Sequence, residues 1–341
     1  MTIRRLTGTF IGATAVLSLS ENKVTKMDEP VKQQSAQMCF ADGLNSSRAS
    51  SMRSRRRQPH KVGLTYRSMS ECYSPHQFAI FRILFGLHLA VMFFENVPYS
   101  AELFGGSAYS LVKADIRPLP NLLTYVGHPA VFLLVLALLS CFFAAGIFRR
   151  VASVLIWYGL YCLFHQNVHI DNISLSYTGW LLLACTLVPT GEPLCVGRRY
   201  QFQWRMPQLL LVSAWLILAV SYAVAGATKL NGALWMDGRL LAYLLESAMA
   251  RDWWFDRLLL RLPASFLKLL TWSVVACELS FLPLCLFNRT RFYAWVLLTI
   301  MNIGIMLTMD FAQLNIAILL FHLFVFDSRW IRRHAVVGRR T

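Results

Sequence analysis

The sequence predicts an all-α fold, a polytopic integral membrane helix bundle. Of the 341 residues, 56% are hydrophobic and only 15% are charged, which is little charge for the surface of a soluble protein of this size. The apolar residues fall into long blocks, several of them close to the 20 residues that cross about 30 Å of hydrocarbon as a helix. These blocks lack the period-two alternation of strands, and helices satisfy their own backbone hydrogen bonds in lipid.

The apolar blocks predict about eight transmembrane helices, with seven or nine as the alternatives. The blocks cover residues 77–95, 130–148, 151–165, 175–190, 208–227, 266–287, 292–309 and 311–327. The third and fourth blocks are short, so we expect these two helices to be tilted or partly enclosed by their neighbours.

The basic residues predict how the chain is oriented across the membrane. They occur before the first apolar block, after the last one, and in every second connection between the blocks. Positive charge marks the cytoplasmic side of a membrane protein, so we expect both termini in the cytoplasm. The net charge of +16 therefore indicates a lipid bilayer as the partner, and no zinc-finger spacing or stacking platform indicates nucleic acid. The basic residues of the connections are Arg149, Arg150, Arg198, Arg199, Arg205, Arg289 and Arg291.

Residues 1–74 differ in composition from the rest of the chain. They are rich in Ser, Gln, Arg and Lys without a sustained period, as in SSRASSMRSRRRQPHK, so we expect a basic, mostly disordered extension. The first twenty residues have a basic start and a weakly apolar middle, which leaves a targeting sequence as the alternative. We expect the transmembrane domain to cover residues 75–331 and a basic cytoplasmic tail to cover 332–341.

The connection between residues 229 and 262 is the exception to the charge pattern. It is expected on the outer side, yet it carries several positive residues around the apolar stretch LLAYLLESAMARDWWFDRLLL. We predict a helix that lies in the interface plane, with Trp253 and Trp254 at the level of the headgroups.

The fifth block ends in a lysine, Lys229, at the outer mouth of the predicted bundle. Tyr222, Gly226 and Lys229 are spaced four and three residues apart, so they share one helix face, and Gly226 lets another backbone approach that face. A half-desolvated amine favours its neutral form, which can act as a base. The simpler interpretation, that Lys229 only snorkels to the headgroups, stays open at this point.

Two histidines, His165 and His169, lie in the segment FHQNVHIDN on the same expected outer side. With Asp171 they offer groups that bind metal or move protons. The H-x-x-x-H spacing is a weak signal, and loop histidines at an interface are the simpler interpretation. We predict no metal site here and keep both histidines as catalytic candidates.

Arg82 and His88 lie inside the first apolar block, and Glu278 lies inside the sixth. Charges at these depths are expensive and usually face the bundle interior. We therefore predict that Arg82 and Glu278 form a structural ion pair within the membrane.

The stretch AGATKLNGALWMDGRLL resembles the AG-x-x-KL…W-x-x-G pattern of the horizontally transferred transmembrane (HTTM) domain family, which is similar to the membrane region of vitamin K-dependent γ-carboxylase. Further stretches match in order: AIFRILFGL, NISLSYTGWLLLACTLVPTGE, MPQLLLVSAWLILAVSYAVAGATKL and MNIGIMLTMDFAQLNIAILLFHLFVF. The resemblance covers residues 75–331. It implies that Lys229 is the base, that Tyr222, Gly226, Trp235 and Gly238 form its binding surroundings, and that a quinone is the candidate cofactor.

The chain departs from the carboxylase pattern at three points. Ile173 stands where the carboxylase has a histidine, the histidine that enters the penultimate helix is missing near Thr299, and the large lumenal substrate domain is absent from this sequence. Glutamyl carboxylation is therefore not expected. Two function classes stay open: a membrane enzyme for a quinone-like or lipid-soluble substrate, and a non-catalytic membrane component such as a partner, immunity or transport subunit.

Overall fold

The computed structural model describes residues 73–106, 119–170, 172–197, 200–310 and 312–330, and within these ranges every regular element is helical. The prediction of an all-helical protein is thus confirmed for this part of the chain. The predicted tail, nearly all of the N-terminal extension, and Asp171, Arg198 and Arg199 lie outside the described residues.

Thirteen α-helices are present in the described ranges, and eight of them coincide with the predicted blocks. In chain order they are α1 (Pro75–Glu95), α2 (Ser100–Phe104), α3 (Leu122–Val126), α4 (Pro129–Ala145), α5 (Arg149–Gln166), α6 (Ile173–Leu187), α7 (Gln208–Lys229), α8 (Ala233–Met236), α9 (Leu240–Leu245), α10 (Trp254–Leu260), α11 (Ala264–Leu286), α12 (Arg291–Thr308) and α13 (Ala312–Val325).

Local sequence explains where several helices begin and end. Pro75 and Pro129 occupy first-turn positions of α1 and α4, where the missing N–H costs nothing. The Asn172 side chain accepts hydrogen bonds from the backbone N–H groups at the start of α6. Gly146 ends α4 in the left-handed conformation that glycine adopts without strain.

The predicted single interfacial helix is wrong in one respect, because the stretch forms two short helices, α9 and α10. The backbone between them pairs instead with the end of α12: Arg251 N–H donates to the Thr308 carbonyl over 2.9 Å, and Asp310 N–H donates to the Met249 carbonyl over 2.9 Å. These tertiary hydrogen bonds replace those of a continuous helix.

The eight long helices pack as an antiparallel bundle with two distinguishable ends. At the Arg149 end, α1, α5, α7 and α12 begin and α4, α6, α11 and α13 end; the Lys229 end is the opposite one. The Gln77 amide near the start of α1 donates to the carbonyls of Leu323 and Phe326 at the end of α13. The first and last described helices thus have their outer termini at the same end of the bundle.

Four helical stretches are long and apolar enough to cross a membrane: Pro75–Phe104, Gln208–Lys229, Ala264–Leu286 and Arg291–Thr308. Three further helices in the described ranges are apolar but shorter, so these lengths do not confirm eight crossings. The apolar side chains at positions 80, 84, 87, 91 and 94 form an exposed stripe on α1. Such an outward apolar face fits a bilayer environment.

Helix α13 lies at the centre of the bundle and packs against α1, α6, α7 and α12. Helix α7, which contacts α13, also packs closely along α11. Aromatic rings fill the core between α13 and α1, where the Phe81 and Phe324 rings meet edge to face 5.0 Å apart. This arrangement brings the polar side chains of α7, α11, α12 and α13 into one region.

Candidate functional site

Lys229 lies at the end of α7 and forms a salt bridge with Glu278 of α11, in which its ammonium contacts both carboxylate oxygens. The Glu278 side chain is 5% exposed and the Lys229 side chain is 19% exposed. The Lys229 Nζ also lies 4.9 Å from the centroid of the Trp235 ring, within the range of a cation–π interaction. The amine is thus largely removed from water.

Gly226 sets the close approach of α7 and α11 that makes this pair possible. A Cβ at position 226 would lie 2.9 Å from Leu279 Cγ and 3.1 Å from Glu278 Cβ. Any larger residue therefore requires the Leu279 side chain or α11 itself to shift away from α7 at the level of the ion pair.

A short segment formed by α8 and α9 turns back over the ion pair and places Trp235. Gly238 has φ of 70° and is buried, and a Cβ there would collide with the Lys268 side chain of α11. Trp272 of α11 donates its indole N–H to the Met236 carbonyl over 3.0 Å. Gly238 thus lets the segment seat against α11 with Trp235 over Lys229.

Two turns back from Lys229 on α7, Tyr222 belongs to a buried hydrogen-bond network. Its hydroxyl lies 3.0 Å from Nε2 of His322 on α13 and accepts from the Asn302 amide over 2.7 Å. The His322 Nδ1 lies 3.0 Å from the Thr299 hydroxyl on α12. His322 is 1% exposed, so the network lies in the interior of the bundle.

The proton positions in this network follow from counting donors. The Thr299 hydroxyl donates its one proton to the Trp295 carbonyl over 2.7 Å, so it can only accept from the imidazole. His322 Nδ1 therefore carries the proton, and Nε2 accepts from the Tyr222 hydroxyl. The Tyr222 ring also meets the Phe281 ring of α11 edge to face at 5.3 Å, one turn from Glu278. The network and the ion pair are thus neighbours along the α7–α11 contact.

The predicted Arg82–Glu278 pair is wrong, because each residue has a different partner. Arg82 Nη1 lies 3.2 Å from Oε1 of Glu192, in the connection after α6, and both side chains are buried. Arg149 Nε lies 2.7 Å from the same oxygen. Glu278 pairs with Lys229 at the opposite, Lys229 end of the bundle. The connection folds into the Arg149 end and supplies a carboxylate that the apolar-block pattern does not reveal.

Backbone carbonyls complete the surroundings of the two arginines at the Arg149 end. Arg149 donates to the carbonyls of Cys185, Val188 and Pro189, and Arg82 Nη2 donates to the Leu194 carbonyl over 2.6 Å. Burial raises the pKa of the neighbouring Cys195 thiol, against a smaller opposite effect of the Arg82 charge. This cluster fastens the connection to the bundle.

His165 and His169 make local contacts on the α5–α6 connection. His165 Nδ1 lies 2.9 Å from the Tyr161 carbonyl one turn earlier, and its ring lies 4.0 Å from the Tyr161 ring. His169 follows the end of α5 in a 3₁₀ turn, where its N–H donates to the Asn167 side chain over 3.0 Å. The two histidines do not continue one helix face, and their contacts do not include Lys229.

Sequence reasoning missed His322, Asn302 and Thr299. The available signal was a histidine inside the apolar block of α13, where a polar side chain is costly unless it faces partners in the interior.

The comparisons with known proteins add no relative: the chain matches no protein-family model, no curated protein and no solved structure. Within the described part of the chain, no three His, Cys, Asp or Glu side chains form a group that could hold a metal ion.

Proposed function

We propose that this chain is a multi-pass membrane protein of the HTTM type in which Lys229 is the base that takes a proton from a quinone-like, lipid-soluble substrate. The observation that carries the proposal is the Lys229 amine, held between the buried Glu278 carboxylate and the Trp235 ring. A base for a lipid-soluble substrate needs an amine that lies out of water yet within reach of the membrane.

The eight crossings and the cytoplasmic termini belong to the same proposal. Each of the eight long helices runs antiparallel to the next long helix in the sequence. Helix α4, one of the shorter ones, also exposes apolar side chains on its outer face, including Val131, Leu134 and Leu138. Arg149 and Arg291 both begin helices at the Arg149 end, which under the positive-inside rule supports a cytoplasmic location for this end. The Lys229 site then lies towards the outer side.

The ion pair supplies a route to the neutral amine. Transfer of one proton from the Lys229 ammonium to the Glu278 carboxylate, which it contacts, leaves a neutral amine beside a neutral acid. The amine then takes the hydroxyl proton of a hydroquinone and leaves the hydroquinone anion beside the new ammonium. Trp235 shields the amine from water during this transfer.

Lipid identification tests the substrate class. The full chain is purified in polymer-bounded native-membrane discs, and its lipid extract is analysed by mass spectrometry beside discs of an unrelated membrane protein from the same cells. We expect a quinone or hydroquinone enriched in amounts comparable to the protein. An extract with the lipid composition of the control discs would contradict a quinone-type substrate.

A non-catalytic membrane component is the second candidate function. The observation that favours it is that both oxygens of Glu278 contact the Lys229 ammonium, as in a purely structural tie between α7 and α11. In that case Lys229→Arg, which preserves the ion pair, would preserve every property of the protein.

A further inference from the structure

A cavity of about 60 Å³ lies between α1, α4, α5, α6 and α13, towards the Lys229 end. Its walls are mostly apolar and include Phe93, Leu133 and Leu160. Lys229, Glu278 and Trp235 do not line it, so it is separate from the ion pair.

Two polar side chains face this cavity without a protein partner. Thr178 of α6 is 2% exposed, and His88 of α1 is partly buried. Among the described residues, neither side chain has a hydrogen-bond partner. The lining residues Asn172 and Ser174, in contrast, satisfy one another in the cap of α6. Buried polar groups are nearly always hydrogen-bonded, so Thr178 calls for a partner that enters the cavity, and the half-buried His88 imidazole faces the same space.

The lining limits the chemistry of that partner. No Lys, Arg, Asp or Glu lines the cavity, so the partner is uncharged. At roughly 10–15 Å³ for each water-sized group, the cavity holds about four to six such groups, which is a small head and not a whole lipid. A hydroxyl both donates and accepts, as the Thr178 hydroxyl and the His88 imidazole do, so a hydroxyl matches the polar groups of the lining.

We infer that this cavity binds the hydroxyl head of an uncharged, long-chain alcohol taken from the membrane. The hydroxyl bonds Thr178 and His88, and the first carbons of the chain pack against the apolar walls. Met92, Leu175 and Leu314 of the lining are only half-buried, which gives the rest of the chain a way out towards lipid.

Photolabelling of the full chain in lipid nanodiscs tests this inference. The probe is 1-dodecanol that carries a diazirine near its hydroxyl, compared with a dodecane that carries the same diazirine, and labelled residues are identified by mass spectrometry. We expect the alcohol probe to label cavity-lining residues of α1 and α6, excess 1-dodecanol to remove this labelling, and the hydrocarbon probe to label only outward-facing residues.

Two variants on the same helix make the test specific. Thr178→Val keeps the shape of the side chain and removes the hydroxyl, so the probe concentration for half-maximal labelling should rise about fivefold, the value of one hydrogen bond. Thr186→Val removes a hydroxyl that bonds the Leu183 carbonyl outside the cavity and should leave that concentration unchanged. Equal labelling in both variants, or labelling confined to outward-facing residues, would mean that the cavity holds water only and would overturn the inference.

Discussion

Lys229 and Glu278 are 49 residues apart in the chain and form a largely buried salt bridge between α7 and α11. Removing one member of a buried pair leaves an uncompensated charge, so Lys229→Met and Glu278→Gln should each lower the free energy of unfolding by about 3–5 kcal/mol. The double variant should cost clearly less than the sum of the two losses. Thermal unfolding in detergent measures all three.

The exposed pair Arg257–Asp252 is the matched control for this cycle, since its side chains are 68% and 87% exposed. Arg257→Met and Asp252→Asn should each lower the free energy of unfolding by less than about 1 kcal/mol. Strictly additive losses at positions 229 and 278 would show that their contact contributes no coupling.

A second double-mutant cycle separates the two ion clusters. Arg82 and Glu192 share a buried salt bridge, so Arg82→Met and Glu192→Gln should couple by about 0.5–3 kcal/mol. Arg82 and Glu278 belong to different clusters, so their losses should add within about 0.5 kcal/mol. Coupling between positions 82 and 278 would instead favour the pairing that the sequence predicted.

Loss of the Tyr222 hydroxyl should destabilise the protein although the aromatic ring remains. Tyr222→Phe leaves Nε2 of the buried His322 without its donor, and we expect a cost of about 1–3 kcal/mol in the free energy of unfolding. Tyr243→Phe is the control, because the Tyr243 side chain is 59% exposed. If the two variants melt at the same temperature, the network makes no net contribution to stability.

Two glycine substitutions in long helices should have opposite signs. Gly226→Ala places a Cβ 2.9 Å from Leu279 Cγ and should cost about 1–3 kcal/mol as the helices shift apart. Gly304→Ala on α12 meets no atom within 4 Å and should stabilise the helix by up to about 1 kcal/mol. Equal effects, measured by thermal unfolding, would show that Gly226 is not needed for close packing.

The long helices could be predicted from the sequence because each apolar block is long enough to fix its own secondary structure. The block at 208–227 became a helix that extends two residues further, to Lys229. The break between α9 and α10 could not be predicted, because it depends on two backbone hydrogen bonds: Arg251 donates to the Thr308 carbonyl, and the Met249 carbonyl accepts from Asp310. Such pairing is tertiary and leaves no periodic signal.

The sequence predicted some residues of the candidate site, but it did not predict which of them contact each other. Lys229 and Glu278 were each singled out, since charge next to lipid is costly, yet the sequence does not say which charges meet. Arg82 was assigned to Glu278 because both lie inside apolar blocks, whereas Glu192 lies outside the blocks, in the connection after α6. The packing of α7 on α11 and the folding of that connection decide both pairings.

The measurement that tests the central claim most directly is the absorbance of a bound hydroquinone. A naphthohydroquinone is added without oxygen to the full chain in nanodiscs, and the ultraviolet difference spectrum is recorded for wild type, Lys229→Arg and Lys268→Arg. Lys268 is the control because its amine also lies over a ring, 4.6 Å from that of Trp272, but is exposed. The account predicts the long-wavelength band of the hydroquinone anion in wild type and Lys268→Arg and its loss in Lys229→Arg, since a guanidinium keeps its proton. An undiminished anion band in Lys229→Arg would contradict Lys229 as the base.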